Sequence, residues 1–179
     1  AINKALLKYI YRSMNEIKIE TMTEKSWTDV ARIYESGIAT KNATFQTEAP
    51  DWDSWDKAHR QDCRLVATID GKIVGWTALS NVSSRCVYAG VAEVSVYVDS
   101  AFRGRGIGNK LMEVLIQESE ANGIWTLQAG IFPENTGSLK LHHNHGFRTI
   151  GIKERLGKMD NKWRDVAQLE RRSKIVGID

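Results

Sequence analysis

The sequence predicts an α/β (α+β) domain built on a mixed, mostly antiparallel central sheet with flanking helices. Three observations carry that expectation. Val91 to Val98 is a run of strand-forming residues whose period of two separates Glu93, Ser95 and Tyr97 from Val94, Val96 and Val98. A glycine-rich turn at 103–108 then opens a helix with Leu111, Met112, Leu115 and Ile116 on one side, ending near Gly123. Ile124 to Phe132 reads as a strand again, which makes a single β-α-β crossover in a chain whose other strands follow one another as antiparallel neighbours do.

The other elements follow in order from Met14. Ile17 to Met22 alternates apolar and polar residues, as a half-buried strand does. Thr23 and Ser26 can cap a helix through Thr40, with Val30, Ile33, Tyr34 and Ile38 as its apolar stripe. Asp51 can cap a short helix carrying Trp52, Trp55 and His59. Arg64 to Ile69 and Lys72 to Ser80 are strands joined by Asp70-Gly71, a strong hairpin signal. Ser138 to Asn144 is a short helix. Phe147 to Arg155 and Trp163 to Arg171 close the sheet around an Asp160-Asn161 turn. Trp52, Trp55, Trp76, Trp125 and Trp163 are expected as core or interface anchors.

Composition removes several function classes. A chain of 179 residues fits one domain, expected over residues 14–179. Residues 1–13 differ in texture, with Leu6, Leu7, Ile10 and Tyr11 at helical spacing. Because Met14 resembles a natural start, they are expected to be a tag or mis-called extension. They hold Lys4, Lys8 and Arg12 and no acid, so they carry the whole formal charge of +3, and the neutral body lacks the footprint of a nucleic-acid binder. No apolar run approaches the roughly 20 residues of a membrane span. The two cysteines, Cys63 and Cys86, are too few for a disulfide scaffold and suggest reduced thiols in a cytoplasmic protein.

The turn Arg103-Gly104-Arg105-Gly106-Ile107-Gly108-Asn109 carries the first chemical signal. Glycines let the backbone approach a ligand, and a helix N-terminus offers unpaired N–H groups and positive dipole density to a phosphate or diphosphate. A P-loop would need Gly-Lys-Ser/Thr where Gly108 is followed by Asn109. A dinucleotide-binding turn would need G-x-G-x-x-G near the first strand, and the spacing here differs. His142, His143 and His145 do not have the spacing or companions of a metal site, so no metal is expected.

The R-x-x-G-x-G spacing of Arg103, Gly106 and Gly108, placed after Val96-Tyr97-Val98, resembles the acyl-CoA-binding motif of the GNAT superfamily of N-acetyltransferases. Asn135-Thr136-Gly137-Ser138-Leu139-Lys140-Leu141-His142, followed by Gly146-Phe147, resembles that superfamily's N-x-x-S-x-x-L-Y…G-F block. Glu93-Val94-Ser95-Val96-Tyr97-Val98, the Leu141-His142 pair, Trp163-Arg164-Asp165-Val166 and Phe45-Gln46-Thr47-Glu48 are similar to the phosphinothricin acetyltransferase branch. The likeness spans about residues 17–170.

The resemblance implies the acyl-CoA N-acyltransferase fold and acetyl transfer from acetyl-CoA to the amine of a small amino acid or analogue of the phosphinothricin, methionine sulfoximine or methionine sulfone type. Val96, Tyr97 and Val98 would hydrogen-bond the pantetheine arm through their backbone. The N–H groups from Arg103 through Gly104, Arg105, Gly106, Ile107, Gly108 and Asn109 would hold the diphosphate, and Asn135 and Ser138 would touch the cofactor. Glu93 is the expected general base for the incoming ammonium. His142, where most of the superfamily has Tyr, would protonate the leaving thiolate or orient the amine. Phe45, Ser84, Arg85, Tyr88 and Val91 would form the acceptor site, with Arg85 on the acceptor's carboxylate. Ser83-Ser84 departs from the bulkier or basic residues common in that branch. A homodimer is also implied. Acetylation of a protein or peptide amine and a non-catalytic acyl-CoA-binding sensor remain the alternatives.

Overall fold

The computed structural model describes residues 16–179, so the expectation for residues 1–13 lies outside the described residues. The elements run in the order β1 (Lys18–Thr21), α1 (Trp27–Ala39), α2 (Trp52–Ala58), β2 (Leu65–Ile69), β3 (Lys72–Asn81), β4 (Val91–Val98), α3 (Ile107–Ala121), β5 (Thr126–Ile131), α4 (Thr136–Asn144), β6 (Arg148–Met159) and β7 (Lys162–Arg172). One seven-stranded sheet has the order β1-β2-β3-β4-β5-β7-β6. Every pairing is antiparallel except β4 with β5, the crossover that α3 makes possible.

Local chemistry explains most boundaries. The Asp51 carboxylate accepts the Ser54 N–H at 2.8 Å and caps α2. Asp70 and Gly71 adopt φ of 51° and 74°, and Asp160 and Asn161 adopt 49° and 63°. Both two-residue turns therefore have the left-handed conformation that matches hairpin twist. The last two strands outrun the sequence expectation: β6 continues past Arg155 to Met159, and β7 starts at Lys162. The reason is a bulge. Pairing shifts register between Lys153 and Gly157, and Arg155 lies at φ 47° before the ladder resumes at Gly157 opposite Arg164.

The sheet carries a core on each face. On one, Ile107, Leu111, Met112 and Leu115 of α3 pack against Leu65, Ala67, Val74, Leu127 and Leu169, with Val94, Val96 and Val98 at the margin. On the other, α1 and α2 press Val30, Ile33 and Trp55 onto Val66, Trp76 and Ala78, with Tyr34 and Tyr97 beside them. The period of two in β4 thus divides the two cores as the sequence indicated. Trp55 and Trp76 are fully buried, whereas Trp163 is 59% exposed on β7 and anchors no core.

Gly37 shows how tightly the second core is packed. A Cβ there would lie 2.6 Å from the Tyr97 ring, which is stacked on Trp76 at a centroid distance of 4.8 Å. In an exposed helix, Gly→Ala gains about 1 kcal/mol. Here overpacking reverses the sign, and Gly37→Ala is expected to cost about 1–3 kcal/mol. A fall in Tm of about 3–9 °C by calorimetry is the outcome expected, and a rise would contradict this packing.

Candidate active site

Strands β4 and β5 pair at only three positions: Val91 with Thr126, Ala92 with Leu127 and Glu93 with Gln128. Beyond Glu93 they part. β4 stays on β3 as far as Val98 opposite Gly75, while β5 follows β7 as far as Ile131 opposite Ala167. The gap between them is part of a cleft of about 970 Å³. One wall is the edge of Val94 to Val98, which has no strand partner on that side among the described residues. Ala129, Gly130 and Ile131 face it from β5.

The start of α3 closes one end. Gly104 and Gly106 take φ of 75° and 83°, with Gly106 as the helix N-cap, so the unpaired leading N–H groups of α3 start among residues that line the cleft. Arg103, Gly104, Gly106, Ile107, Gly108 and Asn109 line it, and Arg105 lies outside, against the Phe102 ring. At Gly108 a Cβ would come within 3.2 Å of Leu141, so glycine keeps the backbone close to α4. Asn135 caps α4 by accepting the Ser138 N–H at 3.1 Å, and both residues line the cleft. Asn135 also donates to the Asn42 carbonyl at 3.0 Å, tying the 41–50 loop, whose residues 42–46 line the cleft, to the start of α4.

Among the described residues lining the cleft, Glu93 is the sole carboxylate, and Arg103 and Lys153 are the only Lys or Arg side chains. Glu93 opens to the cleft, yet the walls remove much of its water. This burial pushes its carboxyl above the ordinary value, and the positive charge of Lys153 works against the shift. His142 is 2% exposed. Its Nδ1 lies 2.8 Å from the Ser138 carbonyl, an acceptor only, so Nδ1 carries the proton. Nε2 is then a buried acceptor without a hydrogen-bond partner among the described residues. Burial holds the ring pKa below its ordinary value. In this tautomer neutral His142 has no Nε2 proton to donate, which corrects the expectation that it protonates a thiolate.

Phe45 lines the cleft, edge-on to Phe132 at 4.8 Å. The rest of the expected acceptor set is not brought there. Ser84 and Arg85 border a separate hollow of about 210 Å³. Arg85 sits over the exposed Tyr88 ring at 5.5 Å, and Val91 is buried at the start of β4. The cause is the anchoring of the 82–90 loop. The Gly90 carbonyl accepts from the N–H groups of Trp125 and Thr126, and the Trp125 ring covers the Gly90 Cα, so the loop is tied to the paired end of β4 and β5.

Sequence reasoning missed His59, Lys153, Leu156 and Gln168, all of which line the cleft. His59 stacks on Trp55 at 4.0 Å, and its Nδ1 lies 2.8 Å from the Trp55 carbonyl. A histidine one turn after a tryptophan was a weak hint. Nothing local marked β6 and β7 as a wall. Among the described residues no group of three or more His, Cys, Asp or Glu side chains is placed to hold a metal ion, and no helix is long and apolar enough to cross a membrane.

Comparison with known proteins finds similar acetyltransferases. The acetyltransferase (GNAT) family model matches residues 26–147. The acetyltransferase YwnH of Bacillus subtilis (strain 168) is 35% identical over 147 residues, covering 79% of this chain and 90% of its own. A phosphinothricin N-acetyltransferase of Streptomyces coelicolor is 29% identical, covering 87% and 96%. An L-methionine sulfoximine/L-methionine sulfone acetyltransferase of Salmonella typhimurium is 31% identical over 59% of this chain and 62% of its own. The structure of yncA from Salmonella typhimurium, solved with its cofactor acetyl-CoA, superposes with a TM-score of 0.83 at 26% identity over 92% and 99% of the two chains.

The His142 tautomer has a measurable consequence. A ring whose folded pKa lies below its unfolded value favours folding above about pH 6.5, and that contribution is lost as pH falls toward the folded value. His142→Asn can still donate an amide N–H to Ser138 and no longer titrates. Its Tm is expected to drop less than the wild type's between pH 7.5 and 5.5. NMR of the wild-type ring should show the Nδ1–H form, and an Nε2–H form would contradict the assignment.

Proposed function

The chain belongs to the GNAT acetyltransferase family, and from that premise we propose that it transfers acetyl from acetyl-CoA to the amine of a small amino acid or analogue of the phosphinothricin, methionine sulfoximine or methionine sulfone type. The parting of β4 and β5 carries this reading. It leaves an unpartnered strand edge running from the sole cleft carboxylate to the N-terminus of α3, a layout suited to an extended acyl carrier with an anionic end. The residues present fit acetyl-CoA. The glycine turn offers backbone N–H groups to a diphosphate, and a Cβ at Gly104 or Gly106 would meet open space, so the turn leaves room beside its backbone.

Bound acetyl-CoA supplies a thioester carbonyl open to attack by an amine. The backbone of Val96, Tyr97 and Val98 aligns the pantetheine arm, while Arg103 and the N–H groups through Asn109 hold the diphosphate. Arg105 adds positive charge from outside the cleft. Asn135 and Ser138 lie beside the cofactor. Glu93 takes a proton from the incoming ammonium, directly or through one water, and its raised pKa strengthens it as a base. The free amine then attacks the thioester carbon, and the C–S bond breaks to release CoA, whose sulfur takes up the nitrogen's second proton. His142 orients: its Nε2 accepts a hydrogen bond from a bound donor. Phe45 and Phe132 give the acceptor an apolar wall.

The names of the relatives support a small amino-acid analogue as acceptor over a protein or peptide amine, and a carboxylate placed for base chemistry argues against a non-catalytic acyl-CoA sensor. A homodimer belongs to the same reading. Ile150 and Ile152 on the outer strand β6, with Trp163 on β7, expose apolar surface that a second copy can cover. Cys63 and Cys86 are both free thiols, consistent with the cytoplasm.

Thiol release from acetyl-CoA with methionine sulfone as acceptor tests the proposal. Wild type is expected to turn over, with kcat/KM falling on the acid side at an apparent pKa above that of an ordinary carboxylate. Glu93→Gln should lower kcat/KM by about 10²–10⁴ and abolish that limb. Unchanged turnover in Glu93→Gln would remove the base assignment. CoA binding without turnover on any amine would favour the sensor.

A further inference from the structure

With Arg85 outside the cleft, the acceptor's anionic group needs another partner. We propose that Lys153 holds the α-carboxylate of the amino-acid acceptor whose amine meets Glu93, which makes it a specificity-determining residue; this rests on the N-acetyltransferase reading above.

The distribution of charge comes first. Of the two cations among the described cleft-lining residues, Arg103 stands at the α3 end, which the diphosphate claims. It is separated from Glu93 by the open edge of β4 from Glu93 to Val98, about 17 Å at 3.3 Å per residue. Lys153 is the cation at the Glu93 end, and its charge acts on the Glu93 carboxyl. Yet Lys153 makes no ion pair within 4.0 Å and no side-chain hydrogen bond among the described residues. An acid and a cation thus share one end of the cleft without closing on each other. An α-amino acid carries its amine and carboxylate on one carbon. It can span such a gap with a charge-assisted hydrogen bond of about 2.8 Å at each side.

The backbone supplies the second observation. Lys153 pairs directly with Val166, so the two side chains share a face of the sheet, and both line the cleft with Gln168. The bulge begins immediately after Lys153. Arg155 adopts φ 47°, and its N–H donates to the Asp165 carboxylate at 2.8 Å instead of to a ladder carbonyl. Bulges re-aim the side chains beside them. Here Lys153 and Leu156 both reach the cleft, and the ladder resumes at Gly157, whose Cα lies under the Phe45 ring. A regular β6 would send residues three apart to opposite faces.

The test compares two acceptors, L-methionine sulfone and its primary amide, which differ only in the carboxylate. Lys153→Met is expected to raise KM for the free acid about 10–100-fold. Its KM for acetyl-CoA should stay within about threefold of wild type, its KM for the amide should change far less than that for the acid, and the acid limb of kcat/KM should move to higher pH, because the charge that opposes the Glu93 shift is gone. Lys153→Arg should restore most of the lost affinity for the acid. Because Lys153 is exposed, an unchanged Tm in both variants is the expected check on folding. Equal losses on acid and amide, or a rise in the KM for acetyl-CoA alone, would overturn the role of Lys153 while leaving the acetyltransferase reading intact. Failure of the wild type to acetylate either acceptor would overturn the acceptor class, and the Lys153 assignment with it.

Discussion

Two parallel strands stay bonded for three residue pairs and then separate, and the site is built from that separation. The backbone of a parallel pair is ordinarily satisfied on both edges. Here β4 is held by seven positions on β3 and β5 by six on β7, so each strand keeps a full ladder on its outer side. The inner edges can then open without unravelling the sheet. Packing maintains the opening from below: Val94, Val96 and Val98 rest on the α3 core, and Leu139 and Leu141 of α4 pack against the same core. An extended ligand can complete the unpaired edge as another strand would.

Electrostatics in the cleft depend on placement more than on number. Loss of water raises the Glu93 carboxyl above its ordinary value, with Lys153 as a partial counterweight. His142 is held neutral by burial, and its tautomer is dictated by a carbonyl one helical turn earlier. The positive end of α3 and Arg103 lie at the far end of the β4 edge. The cleft's acid and the glycine turn therefore stand at opposite ends of the β4 edge.

The aromatic core on the opposite face has a supporting role. Trp76 and Tyr97 stack, Tyr34 meets both edge-on, and Gly37 lets α1 approach the Tyr97 ring. Burial raises the Tyr97 hydroxyl pKa. Tyr97 stays a neutral packing element, and the residue also lines the cleft.

The sequence by itself determined the element order, the β4 register and the glycine turn, because those rest on local rules. Side chains alternate along a strand, Asp70-Gly71 and Asp160-Asn161 favour left-handed turns, and Gly104 and Gly106 tolerate positive φ. Glu93, Gly106, Gly108, Asn135 and Ser138 were legible because each lies within a short motif, and the cleft contains them all. The acceptor end was not legible in this way. Arg85 sits close to Glu93 in sequence, yet Gly90 and Trp125 hold its loop at the closed end of the strand pair. Lys153 is sixty residues from Glu93 in number and shares its cleft because β7 inserts between β5 and β6 and a bulge turns the strand. Which tautomer His142 adopts likewise waited for the carbonyl it meets. Contacts within one turn or strand follow from residue type, whereas contacts across the sheet depend on strand order and bulge position, which are set by the packing of the whole domain.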